Sequence, residues 1–183
     1  YQDDFALQEI EGEFVIVGGK CFFDVPKLKE LLEGVKPGEV FKPYVVGRRY
    51  GAFLDPAGMG EDSHSLSILD CQTGEFVVDY TTKDHPEVFA LQAYNLLGKY
   101  QQPLLGVENN GVGLAMTLAI KGLGYPNSKL VYQDEKRTKI GVAMTGGMRD
   151  RILVDLALGL RQGSLIVYSR PAIDEMFSFI NTE

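Results

Sequence analysis

Between Tyr50 and Lys121 the spacing of apolar residues changes from alternation to helical periodicity, and this change limits the folds open to the chain. RYGAFLD (49–55) reads as a buried strand ending in a carboxylate, Asp55. PAGMGED (56–62) is a glycine-rich turn. SLSILD (65–70) sets Leu66 and Ile68 against Ser65 and Ser67, CQTG (71–74) turns, and EFVVDY (75–80) returns. Those three runs predict an antiparallel meander. A helix then begins near Pro86, a proline in the first turn, with Phe89, Ala93, Leu96, Leu97 and Tyr100 as its core stripe. A second buried strand, 103–108, ends in another carboxylate, Glu108. The helix Val112–Lys121 that follows is apolar nearly all round, which predicts that it is buried.

A meander followed by strand–helix alternation is the order of an α/β domain with a mixed sheet. Crossing over through the helix at 86–99 would set strand 103–108 parallel to strand 49–55. Asp55 and Glu108 would then leave the sheet at the same end. Two carboxylates so placed repel one another unless a proton or a cation intervenes. Hard oxygen ligands suit Mg²⁺ or Mn²⁺, and such a pair is the minimum that holds two ions across a phosphodiester. Gly58, Gly60, Gly111 and Gly113 leave room for a phosphate backbone, and Asn109 or Asn110 could hold a water or a phosphate oxygen. Asp62 reads as an outer metal ligand or as a turn residue. An ordinary structural reading stands beside this one, because strand ends are often polar and Asp-Pro and Asn-Gly form turns.

The rest of the chain is less specific. Residues 1–46 read as a lead-in: a hairpin-like edge at 14–24, a short helix VPKLKELLEG stopped by Gly34, and the connector VKPGEVFKP. KLVYQ (129–133) and SLIVY (164–168) read as strands, and 134–144 as a hairpin or loop. RDRILVDLALGLRQG (149–163) reads as a helix with Ile152, Leu153, Leu156 and Leu160 inward and Gly163 as its stop, and AIDEMFSFI as a last helix. Met144 and Met148 read as core. Asp155 lies four residues from Arg151, the spacing of a helix-surface ion pair. His64 reads as a surface or hydrogen-bonded residue and His85 as part of a helix N-terminus.

With 183 residues and 45% apolar side chains, the chain can bury a core without disulfides, and Cys21 and Cys71 form no metal or redox spacing. The net charge of -7 argues against a uniformly basic nucleic-acid binder. The charge is uneven, however. Acidic side chains outnumber basic ones in 1–46, whereas Lys136, Arg137, Lys139, Arg149 and Arg151 face only Asp134, Glu135 and Asp150 in 134–151. That basic strip can track phosphates or simply be a solvated surface. No P-loop, dinucleotide fingerprint, nucleophile elbow, zinc or C-x-x-C motif occurs.

YGAFLDPAGMGEDSHSLSILDCQTGE followed by PLLGVENNGVGLAM resembles the nuclease domain of large terminase subunits, the DNA-packaging motors of tailed bacteriophages. GVAMTGGMRDRILVDLALGLRQGSLIVY resembles a later segment of that domain, and EIEGEFVIVGGKCFFD the linker from the family's ATPase domain. The resemblance implies a ribonuclease H-like fold, a mixed β-sheet flanked by helices, over 47–183, with 1–46 as the linker. It implies a metal-dependent endonuclease that cuts concatemeric double-stranded DNA at the start and end of packaging, using two Mg²⁺ or Mn²⁺ ions and no ATP site in this chain. Asp55 would be the central metal ligand, Glu108 the second, and Asp62 an acid near the metals. Lys136, Arg137, Lys139 and Arg149 are the expected DNA contacts. The family's third acid, often in a His-Asp-Asp motif, is expected beyond Glu183, with Asp150 and Asp155 as weak substitutes. Implied partners are DNA, the ATPase domain of the same protein, the portal and the small terminase subunit, with no membrane, in the host cytoplasm at the procapsid portal. Two rivals are one half of an actin-like or sugar-kinase-type ATPase and a non-catalytic docking domain of the motor.

Overall fold

A computed structural model describes residues 21–57, 62–109 and 112–180. Strands β1 (Tyr50–Asp55), β2 (His64–Asp70) and β3 (Glu75–Thr82) form the expected meander. Helix α1 (Val25–Glu33) precedes them, and α2 (Pro86–Lys99) carries the chain across to β4 (Leu104–Val107). The sheet order is β3-β2-β1-β4, antiparallel except for the β1–β4 pair, which is parallel. Helices α3 (Val112–Gly122), α4 (Gly146–Gln162) and α5 (Arg170–Ser178) complete the described elements, with a short 3₁₀ turn at Asn127–Lys129.

Alternation decides which face of the sheet is core. Ala52 and Leu54, Leu66 and Ile68, Val78, Leu105 and Val107 are buried against Phe89, Ala93 and Leu97 of α2 and Met116 and Ile120 of α3. Leu96 is partly buried at the rim of that stripe, and Tyr100 closes it. A second core joins Phe23, Leu28 and Leu31 to Leu160, Val167, Ile173 and Phe177. It meets the opposite face of the sheet at a cleft shared by Ser67, Phe76 and Asp79 with Leu156, Ala172 and Met176. Helix ends follow the sequence. Asp24 accepts the Lys27 N–H at 3.0 Å, Ser169 accepts the Ala172 N–H at 3.3 Å, and Gly34 and Gly163 stop α1 and α4.

Both sheet edges are covered by irregular segments. On β3, Asp79 and Phe41 bond the connector to the strand, through Glu39 O and Val77 O at 2.9 Å each. Phe76 N–H bonds Ile166 O at 2.9 Å. SLIVY is therefore a single bridge, Glu75 to Ile166, because Val167 turns into the second core. KLVYQ is no strand either. Segments 130–132 and 140–142 share the short outer edge of β4, so each gains one or two bonds rather than a ladder.

Three burial expectations are corrected. Helix α3 is not buried all round, since it packs on the sheet and α2 through one side and leaves Leu114 and Leu118 exposed. In α4, Leu153, Leu156, Ala157 and Leu160 point inward but Ile152 points out. Met148 is exposed in the first turn of α4, which starts at Gly146 behind a Thr145 cap, and Met144 is half-buried. Of the hairpin-like edge at 14–24, residues 14–20 lie outside the described residues; Phe22 N–H bonds Phe179 O at 2.8 Å.

Glu75 locks the connector and the 164–169 segment to β3. Its carboxylate, nearly buried, accepts from Lys42 Nζ, the Tyr168 hydroxyl and Thr73 Oγ1. Burial pushes this carboxyl up, but Lys42, Tyr168 and Thr73 together outweigh it and hold the pKa at about 2. A carboxyl depressed on folding stabilises the fold above its unfolded value of 4.5, and that contribution is lost as pH falls from there toward 2. Glu75→Gln is expected to cost about 2 kcal/mol at pH 7 and to flatten the fall in Tm between pH 5 and pH 2. Thermal melts across that range check it; a slope equal to wild type would contradict the assignment.

Candidate metal centre

The β1–β4 register ends at the pair Leu54–Val107, and the Glu108 N–H donates to Leu54 O at 2.9 Å. Asp55 and Glu108 are thus the next opposed positions on two strands about 4.8 Å apart. Alternation puts Gly51, Phe53 and Asp55 on one face together with Leu104, Gly106 and Glu108. A Cβ built on Gly106 would lie 2.9 Å from the Phe53 ring, which agrees with that shared face. The two carboxylates therefore rise side by side at one end of the sheet, on the face away from α2 and α3. Asp55 is exposed and Glu108 half-buried. The same face carries an open apolar groove lined by Phe53, Leu69, Leu104, Gly106 and Val142.

Glu108 is fixed from two directions. Asn109 N–H donates to Val142 O at 2.8 Å, and Val142 N–H donates to Val107 O at 2.7 Å. Asn109 Nδ2 donates to Ile140 O at 2.7 Å, so one N–H of its amide anchors the returning loop. Gly141 admits this contact: its φ is +87°, and a Cβ there would lie 2.8 Å from Val107 O. On the other side, the first turn of α3 lies so close that a Cβ on Gly113 would fall 1.6 Å from Glu108 O. Asn110 and Gly111 lie outside the described residues.

Asp55 is followed by buried Pro56, and the Ala57 N–H donates to His64 Nδ1 at 2.9 Å. His64 is 4% exposed and its ring stacks on Phe89, with centroids 4.8 Å apart and planes at 9°. The sequence reading left His64 as a surface or hydrogen-bonded residue; it is hydrogen-bonded and not at the surface, and the signal for its burial was its even-numbered place in the Leu66, Ile68 series. Asp62 is exposed on the loop joining β1 to β2, at the end of the sheet that carries Asp55. Gly58, Gly60 and Glu61 lie outside the described residues.

The basic strip divides between two elements. Lys136, Arg137 and Lys139 sit on the loop closed by the Tyr132–Ile140 bridge, whose return strand segment is the one bonded to Asn109. Asp134 holds that loop by accepting from the Thr138 and Lys139 N–H groups at 3.0 and 2.8 Å. Those two N–H bonds and the Thr138 hydroxyl keep its carboxyl below the usual range. Arg137 lies over the Tyr132 ring at 4.5 Å and donates to Asn127 O, so part of its role is structural. Arg149 is exposed in the first turn of α4. Asp150 and Asp155 are exposed on α4, and Asp155 pairs with Arg151 at 3.8 Å.

Among the described residues, no three His, Cys, Asp or Glu side chains form a metal-holding group. Asp55 and Glu108 fit a hard divalent cation as a pair of oxygen donors on one face, but as a partial ligand set. No helix among the described residues is long and apolar enough to cross a membrane.

The mixed sheet with helices on both faces is a ribonuclease H-like α/β fold. Solved structures of the same fold include the large terminase nuclease of the thermophilic phage G20c, with a TM-score of 0.63 at 16% identity over 86% of this chain and 83% of that one. The magnesium-bound form of that nuclease gives a TM-score of 0.64 at 17% identity, covering 85% of this chain and 82% of that one. The large terminase nuclease domain of Thermus phage P74-26 gives 0.58 at 18% identity, covering 82% and 76%. No family model matches the sequence, and no curated protein matches it significantly.

Gly113→Ala is expected to destabilise the fold by about 1–3 kcal/mol, because Glu108 or α3 must move to admit the methyl group. Gly98→Ala in α2, where a Cβ meets nothing within 4 Å, is expected to stabilise by about 0.5 kcal/mol. Urea unfolding of both variants checks this; equal stabilities would contradict the close approach at Glu108.

Proposed function

We propose that the chain is the metal-dependent endonuclease domain of a viral DNA-packaging terminase, cutting concatemeric double-stranded DNA when packaging begins and ends. The observation that carries this reading is the placement of Asp55 and Glu108 as register neighbours on one face of a sheet whose fold is shared with terminase nucleases. In this reading Asp55 and Glu108 hold the cations, Asp62 is an outer acid on the loop at the same end of the sheet, and the third carboxylate is the one expected beyond Glu183. When bound, two Mg²⁺ or Mn²⁺ ions supply the Lewis acidity that activates a water and stabilises the leaving oxygen of the phosphodiester.

The chain's own residues then position the cut. Glu108 is held by Asn109, Val142 and the start of α3, which brace its backbone on both sides. Lys136 and Lys139, with Arg137 and Arg149, offer cations to the DNA backbone, and the first three ride on a loop anchored beside Glu108. Phosphate contacts of this kind position a duplex without reading its sequence. In the same proposal, residues 1–46 link the nuclease, 47–183, to an ATPase domain. Portal and small terminase subunit are partners at the procapsid portal in the host cytoplasm.

Supercoiled-plasmid nicking in Mn²⁺ or Mg²⁺ tests the reading, using the chain extended through the third acid. Asp55→Ala and Glu108→Ala are each expected to lower the rate at least a hundredfold, with DNA binding retained. Charge reversal at Lys136 and Lys139 is expected to weaken binding and reduce its salt dependence by about two ion equivalents. An inert wild type in both metals, or an Asp55→Ala variant as active as wild type, would overturn the proposal.

A further inference from the structure

The β1–β2 ladder ends at Asp55–Ser65, and beyond it the chain must turn through residues 56–63. Among the described residues, the next hydrogen bond across the mouth of this turn joins the Ala57 N–H to His64 Nδ1. His64 makes it from inside the core, beneath Phe89. Two demands meet at this position: a flat ring to stack on Phe89, and an acceptor aimed at a backbone N–H. Neutral histidine with its proton on Nε2 supplies both, while phenylalanine supplies the first and asparagine the second.

We propose that His64 is a positioning residue for the metal centre: as a buried acceptor it fixes the backbone two residues after Asp55 and so the direction of that carboxylate. The inference rests on the reading of Asp55 as a metal ligand. Its chemistry is that of outer groups that orient ligands without touching the ion, whose loss costs roughly 10- to 100-fold in metal affinity. A residue that only fills the core would affect metal binding in proportion to stability. His64 is instead expected to uncouple the two.

Mn²⁺ binding to the 183-residue chain, measured by electron paramagnetic resonance, is compared with Tm for wild type, Asp55→Asn, His64→Phe and His64→Asn. His64→Phe keeps the stacked ring and is expected to raise the Mn²⁺ Kd about tenfold with Tm nearly unchanged. His64→Asn keeps an acceptor near the Nδ1 position and is expected to hold Kd within about threefold while Tm falls. Long-range ¹⁵N correlation spectra of the metal-free wild type are expected to show an unprotonated, hydrogen-bonded Nδ1. Affinities that simply follow Tm, or a proton on Nδ1, would overturn the inference while leaving Asp55 as a ligand. Mn²⁺ binding that is absent, or indifferent to Asp55→Asn, would overturn the metal reading and this inference with it.

Discussion

The parallel pairing of β4 beside β1 is the constraint on which the rest of the structure depends. It requires the crossover through α2, which supplies Phe89, Ala93 and Leu97 to the main core. It ends at Leu54–Val107, which makes Asp55 and Glu108 the next opposed positions. Two like charges held this way are costly in isolation and useful with a cation between them. The backbone around them is therefore overdetermined: Asn109, Gly113, Gly141 and Val142 fix one strand end and His64 the other.

The main core and the second core divide the labour. The first, between the sheet and helices α2 and α3, sets the register that places the carboxylates. The second ties α1, α4 and α5 to the other face, through Phe76 and the Glu75 cluster on β3. Arg48 makes a comparable link at the far end of the sheet. It donates to Asp70, which is 1% exposed. Burial pushes the Asp70 carboxyl up, but the Arg48 guanidinium and the Gln72 N–H outweigh it and leave it below the usual range. These charges are paired at the sheet ends remote from Asp55, where they tie the frame together.

Much of the fold was legible because periodicity reports burial. The alternation of Leu66 and Ile68 with Ser65 and Ser67, and the stripe from Phe89 to Leu97, each named its face correctly. Segments held by isolated bridges rather than ladders were not legible. KLVYQ and SLIVY have the composition of strands, but the length of β4 and the turning of Val167 into the second core decide their form. Apolar character also overstated the burial of α3, because Leu114 and Leu118 lie on a side that nothing described covers. At the site, the strand-end acids could be read from their position after apolar runs. The clamping role of Asn109 and the buried acceptor of His64 could not, since both depend on partners fixed only by tertiary structure: Ile140, 31 residues on from Asn109, and Phe89 above the His64 ring.

The central claim is that Asp55 and Glu108 share a divalent cation. Anomalous scattering from crystals soaked in Mn²⁺ measures this directly. The account predicts a manganese peak within bonding distance of carboxylate oxygens from both residues, about 2.0–2.3 Å. A manganese peak elsewhere on the chain, with both carboxylates bare at a concentration that fills it, would contradict the account.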